Sequence, residues 1–289
     1  MTTRTLLVKM VLLGGLLSLP GVAHAGASLA GANSDFPDQN LVMPFSATDS
    51  RSTFFSTTNI GEGILRARWA FFDESGEQVD QVLRDIFGEG GTDIVDITSI
   101  RDRTIDNAGK FVEGPARSLA GRRGFVIVYG DTQARLVGNF TIANLTTNSA
   151  FGVNASGFGL IGSLTQGTGI VGTTFNPLTL QDNLLVVIGL NWPDLNSLTN
   201  GAAPPGQPVF NVRIVLLGND PENAVIAETT RAVRGSALFT SLRELFPTQD
   251  LNSSASILVV AEGTGIIGYY GQAVGPFGAG QSLRAGITF

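Results

Sequence analysis

The chain has 289 residues, 43% of them apolar and 15% charged, with 37 Gly, 12 Pro, no Cys, one His and a formal charge of −6. Without Cys there is no disulfide, thiol nucleophile, thiolate metal site or lipid-modified N-terminal Cys. The one His, at position 24, falls in a segment predicted to be removed, which takes imidazole catalysis and zinc with it.

Residues 1–25 carry the three parts of a secretory signal. Arg4 and Lys9 lie in the basic opening, 10–19 (MVLLGGLLSL) is apolar, Pro20 breaks the run, and Ala23-His24-Ala25 offers small residues for cleavage. The apolar run is about half the ~20 residues a spanning helix needs. No later stretch is long enough, so no transmembrane helix is predicted in the mature chain. Removing 25 of the 289 residues leaves 264, with 16 basic residues (15 of them Arg) against 24 acidic ones. That acidic, Lys-poor balance argues against nucleic acid as a partner, because phosphate binding needs a basic face. Export without disulfides leaves stability to apolar burial and hydrogen-bonded sheet, for which the chain is long enough.

Residues 26–39 (GASLAGANSDFPDQ) are small and polar and read as a flexible leader. From Asn40 onward, short β-branched or aromatic runs are cut by Gly, Asn, Asp and Pro, the rhythm of an all-β sandwich or barrel. Five landmarks recur in the same order in both halves. Asn40-Leu41-Val42 matches Asn183-Leu184-Leu185, and 65–72 (LRARWAFF) matches 210–217 (FNVRIVLL). Leu83-Arg84-Asp85-Ile86-Phe87 matches Leu242-Arg243-Glu244-Leu245-Phe246. The pair 125–129 and 136–140 matches 257–261 and 266–270, and Phe151-Gly152 matches Phe277-Gly278. The reading is two related β-sandwich modules, 40–165 and 176–289, joined by a linker at 166–175, with one larger sandwich as the alternative.

Two local expectations follow. Val79, Val82, Leu83, Ile86 and Phe87 fall at helical spacing, as do Leu238, Leu242, Leu245 and Phe246, so each of these elements is predicted as a short helix covering an open end of a sandwich. The runs 125–129 (FVIVY) and 257–261 (ILVVA) do not alternate. They predict central strands buried on both faces beneath some covering helix or loop.

Four segments together resemble a group of uncharacterised secreted bacterial proteins: Leu41 to Phe45 (LVMPF), Thr53 to Gly61 (TFFSTTNIG), Trp69 to Gly76, and Leu245 to Pro247. The resemblance spans most of the mature chain and rests on structural motifs. It implies an exported immunoglobulin-like sandwich with a surface or matrix role, and it supplies no catalytic residues.

Carboxylates, hydroxyls and Arg are what remain for chemistry. A Ser–Lys dyad would have to use Lys110, the one mature Lys, which sits in a Gly/Asn-rich loop. A glycosidase needs two carboxylates across a cleft, but Asp73, Glu74 and Glu77 read as turn formers. Asp93, Asp96, Asp102 and Asp106 lie within 14 residues and are the candidate calcium ligands, since calcium takes six to eight oxygens from loop carboxylates and carbonyls. The D-x-[DN]-x-[DN]-G spacing is missing, and Arg101 and Arg103 interleave the acids, so a self-paired loop is the competing reading. Apart from calcium no cofactor is expected.

Trp69 and Trp192, if exposed beside Asp residues, would be platforms for a glycan. Asn-x-Ser/Thr triplets at Asn139, Asn144, Asn154 and Asn252 read as products of composition. The C-terminus alternates Leu283, Ala285, Ile287 and Phe289 with polar or small residues, which suits a closing sandwich strand or the last strand of an outer-membrane barrel. The expectation is therefore a non-enzymatic structural or adhesive protein, secreted, at the cell surface or in the periplasm. Its partners would be further copies of itself, other surface proteins or glycans. The alternatives are a glycan- or small-ligand-binding module and an outer-membrane barrel.

Overall fold

Along Ile64–Asp73 (β3, ILRARWAFFD) burial first alternates through Leu65, Ala67 and Trp69, then becomes continuous at Ala70, Phe71 and Phe72. One face is packed throughout and the other is covered part of the way along. What covers it is the organising fact of the fold. A computed structural model describes residues 38–131, 133–158, 169–174, 182–189, 210–218, 224–249, 251, 254–262, 265–274 and 277–285. The predicted signal, the leader up to residue 37, Trp192 and the last four residues lie outside the described residues.

The chain is all-β and sandwich-like. Its first half comprises β1 (Asn40–Ala47), β2 (Arg51–Asn59), β3, β4 (Gln78–Phe87), β5 (Gly91–Asp96), β6 (Arg103–Ile105), β7 (Phe111–Glu113), β8 (Arg122–Tyr129), β9 (Leu136–Asn144), β10 (Ser149–Asn154) and β11 (Ser156–Phe158). One sheet runs β11-β1-β8-β3-β4-β6-β7, and β10-β9-β2-β5 faces it. The second half comprises β12 (Gly169–Thr174), β13 (Asp182–Gly189), β14 (Phe210–Gly218), β15 (Val225–Val233), β16 (Ala237–Thr240), the one-turn helix α1 (Leu242–Leu245), β17 (Ser254–Glu262), β18 (Ile266–Val274) and β19 (Phe277–Ala285). Here β12-β17-β14-β15 forms one set and β16-β13-β18-β19 the other.

The two halves pair their strands in the same order. Thr58 pairs with Val137 and Ile188 with Ile267, each partner displaced by 130 residues. The hairpin β3–β4 shifts register between Phe71 and Phe72, and β14–β15 shifts between Leu216 and Leu217, 145 residues on. In each half the last strand changes sheets: β10 pairs with β9 before β11 pairs with β1, as β19 pairs with β18 and then β12.

This scheme moves several landmarks. By its pairings β1 corresponds to β12, so 169–174, expected in a linker, is a sheet strand, and Asn183 belongs to the counterpart of β2. Leu83 to Phe87, expected as a helix, lies in β4, whose counterpart is β15; Leu242 to Leu245 is helical as expected. The difference has a local cause. Ser241 and Glu244 form a reciprocal capping box on α1, whereas Val82 precedes Leu83 and has no side-chain acceptor. Without a cap, pairing along the length of β3 decides the conformation of β4. The described strands close no barrel, which sets aside the outer-membrane alternative.

Phe125 to Tyr129 of β8 are buried on both faces, as the missing alternation predicts. The cover is a sheet, where a helix or loop was expected. Leu184, Val186 and Ile188 of β13 join the first-half core, while Leu185 and Val187 between them face a second core with Val212, Ile214, Leu216, Ile257 and Val259. The halves thus share one apolar cluster, and β10 and β19 pair in parallel at Ala150 and Phe277. A Cβ on Gly271 of β18 would stand 2.1 Å from the Phe151 ring of β10, so only Gly lets this ring lie so close to the β18 backbone. Polar ties cross the same boundary. The Tyr269 hydroxyl donates to the Val42 carbonyl (2.6 Å) and accepts from the Ser156 N–H (3.0 Å). Asp182 receives Arg51 Nη2 (2.7 Å), Asn144 Nδ2 (3.0 Å) and Ser149 Oγ (2.9 Å).

Candidate functional site

Trp69, expected as a sugar platform, has 0% of its surface exposed and packs edge-on against Phe55 at 5.9 Å. It sits on the inward-facing parity of β3, beside Phe71 one pleat on. A core position cannot hold a glycan. Trp192, its proposed companion, lies outside the described residues.

The four candidate calcium ligands do not converge. Asp96 caps a 3-10 turn at Ile97–Ser99 by accepting from Thr98 N (2.9 Å) and Thr98 Oγ1 (2.8 Å). Asp106 closes its own turn, accepting from Ala108 N and Lys110 N, both at 2.9 Å. Asp102 takes Leu83 N (2.8 Å) and Arg117 Nη2 (3.2 Å). Asp93 is held by Arg84, through Nε and through Nη2 (2.8 Å), and by Arg103 Nη1 (3.0 Å). Each carboxylate already has donors, and among the described residues no cluster of three or more His, Cys, Asp or Glu could hold a metal ion.

These contacts build a ladder of alternating charge across β4, β5, β6 and β7. Arg101 pairs with Glu113 (3.0 Å) and Arg117 bridges Asp80 (2.7 Å) to Asp102. Arg66 grips Asp85 with two hydrogen bonds (2.7 and 2.8 Å), and the Ile105 N–H adds a third at 2.7 Å. The bonds from Arg66 hold the Asp85 carboxyl below its ordinary range; burial opposes them and the Ile105 N–H reinforces them. A depressed folded pKa adds stability above the ordinary carboxylate value and loses it as pH falls through the folded one. Asp85→Asn should therefore lose less stability than the parent when urea midpoints at about pH 6 and about pH 3 are compared. The difference is expected to be small, because Arg66 is 58% exposed and solvent-screened.

The feature of this region that faces solvent is aromatic. Phe87, ending β4, meets Phe111, opening β7, edge to face at 5.4 Å, yet the two stay 44% and 37% exposed. Ile64, paired with Phe87 across β3–β4, is exposed beside them. The Arg103 guanidinium lies over the Phe111 ring at 3.7 Å while its edge reaches Asp93. Stacking therefore occupies one face of the Arg103 guanidinium and ion pairing its edge, and the guanidinium covers one face of the Phe111 ring. Sequence reading assigned Phe87 to a helix core and gave Phe111 no role. Nothing local distinguishes them, since their exposure follows from where β6 and β7 dock. The three tyrosines are core residues, and burial raises all three phenols, so none offers a phenolate near neutral pH.

No protein-family model matches the chain, and no curated protein matches it. Among solved structures, a chain described as a "putative secreted protein" from Parabacteroides distasonis has 10% identity and a TM-score of 0.18, over 81% of this chain and 70% of that one. An anti-sigma factor domain-containing protein has 9% identity and a TM-score of 0.20, over 82% of each chain. At this level of superposition neither carries an argument.

Proposed function

We propose that this is an exported, non-enzymatic structural or adhesive protein of the cell surface or extracellular matrix, built from two related sandwich modules. The observation that carries the reading is the Ile64–Phe87–Phe111 surface. Exposed aromatic rings packed against neighbouring side chains suit an adhesive contact, since packing leaves them less freedom to lose when they are covered. The surface stands partly on β7, in the stretch between β5 and β8 where a long insertion on a rigid scaffold is expected to hold function. The signal-like opening and the bacterial resemblance support export.

A glycan-binding module is the second reading, and the same rings favour it: Phe111 and Phe87 lie beside Arg103 and its partner Glu113, so apolar faces and hydrogen-bonding groups are adjacent. Replacing both Phe87 and Phe111 by Ser is expected to lower retention on matrix or cell surfaces about tenfold or more, the size expected when two aromatic anchors are lost. The thermal melting profile should hardly move. Retention equal to the parent's would remove this surface from the proposal, and inhibition by free oligosaccharide would select the glycan reading over general adhesion.

A further inference from the structure

In the first half the outer edge of β4 is covered: β6 pairs with it in parallel at Arg84 and Arg103, and β7 follows. The equivalent strand of the second half is β15. The register shifts of the two hairpins place Gln78 and Asp80 in correspondence with Val225 and Ala227, which puts Arg231 where Arg84 stands. Among the described residues no counterpart of β6 and β7 exists, the stretch between β16 and β17 holding α1 instead, and among them β15 pairs with β14 alone. Its nine residues (VIAETTRAV) contain neither Lys nor Pro; its two charges are the opposite pair Glu228 and Arg231, and its one irregularity, the register shift opposite Leu216 and Leu217, lies at its first residues. The other terminal strands among the described residues are shorter: three residues in β7 and β11, four in β16, six in β5.

We propose that β15 pairs antiparallel with β15 of a second copy of this chain, across a two-fold axis through Thr229, to form a dimer with a continuous intermolecular sheet. The sequence of the strand fits itself in that register. Val225 faces Val233 of the second copy, Ile226 faces Ala232, Ala227 faces Arg231, Glu228 faces Thr230, and Thr229 faces Thr229. All nine residues pair, apolar ends meet apolar ends, and no like charges stand opposite each other. The interface is isologous, so it closes at two copies. This inference does not depend on the adhesive reading, because it uses neither Phe87 nor Phe111.

Light scattering of the purified protein over a range of concentrations should show twice the chain mass. The chain has no Cys, so Thr229→Cys introduces a single thiol at the axis. Opposed Cα atoms about 4.5–5.5 Å apart lie within disulfide reach. Mild oxidation should then yield a covalent dimer, whereas Glu228→Cys, whose copies do not face each other, should yield far less. Thr229→Lys sets two like charges across the axis and should raise the dissociation constant at least tenfold, with circular dichroism confirming the fold. If that variant misfolds, the cysteine result decides. A single-chain mass at every concentration overturns the proposal, and so does a dimer whose Thr229→Cys form stays uncross-linked under oxidation.

Discussion

Arg84→Leu is expected to cost about 3–5 kcal/mol of stability, the range for removing one partner of a buried ion pair. Arg84 and Asp93 are 6% and 1% exposed, and Arg84 also donates to the Arg101 carbonyl at 2.7 Å. Removing the guanidinium leaves the Asp93 carboxylate buried, with Arg103 at 3.0 Å as its remaining cationic partner. That surviving contact points to the lower end of the range. Arg84→Met combined with Asp93→Leu should lie much closer to the parent, because no charge is then left unpaired in the interior. Urea denaturation of the single and double variants checks this: a single variant as stable as the parent would mean the pair contributes nothing. Such a loss would be a large share of the 5–15 kcal/mol that usually holds a protein folded.

Trp69→Ala should cost a similar ~3–5 kcal/mol, since it opens a cavity in a core that relaxes only in part. Its ring touches Phe55, and Phe55 in turn packs against Phe71, so the cavity falls between the two sheets of the first half. Trp69→Phe should lose clearly less. The indole Nε1 is buried with no hydrogen-bond partner among the described residues, so Phe gives up volume without giving up a bond. Denaturation midpoints of the two variants separate these outcomes. A Trp69→Phe protein that kept its midpoint but lost oligosaccharide binding would contradict the core assignment.

Several particulars were legible in the residues. The unbroken run at 125–129 signalled burial on both faces, because a strand with one wet face cannot do without polar residues. Arg101 and Arg103, set among the acids, signalled self-pairing, and Arg103 does meet Asp93. Helical spacing held at Leu242–Leu245, where the structure adds a Ser241/Glu244 capping box that the otherwise similar residues at 83–87 lack. Helical spacing alone misled at β4, since Val, Leu and Ile at those intervals also suit a strand buried on both sides. Trp69 misled for another reason. Composition gives a residue type and carries no facing, and the parity of β3 turned this ring inward.

By itself the sequence determined the class of the protein and the chemistry open to it. An all-β chain follows from short β-branched runs cut by turn residues, and the missing Cys excludes thiolate chemistry whatever the fold. Tertiary structure alone decided which residues face each other and which stay in water. It sent Trp69 to the core and left Phe87 and Phe111 outside, gave Asp93, Asp96, Asp102 and Asp106 donors of their own, and joined the two halves through Phe151, Gly271 and Tyr269. Those outcomes depend on contacts between residues up to 227 apart in the chain. Local preference cannot encode them, because the register of a strand is set by the partner it finds.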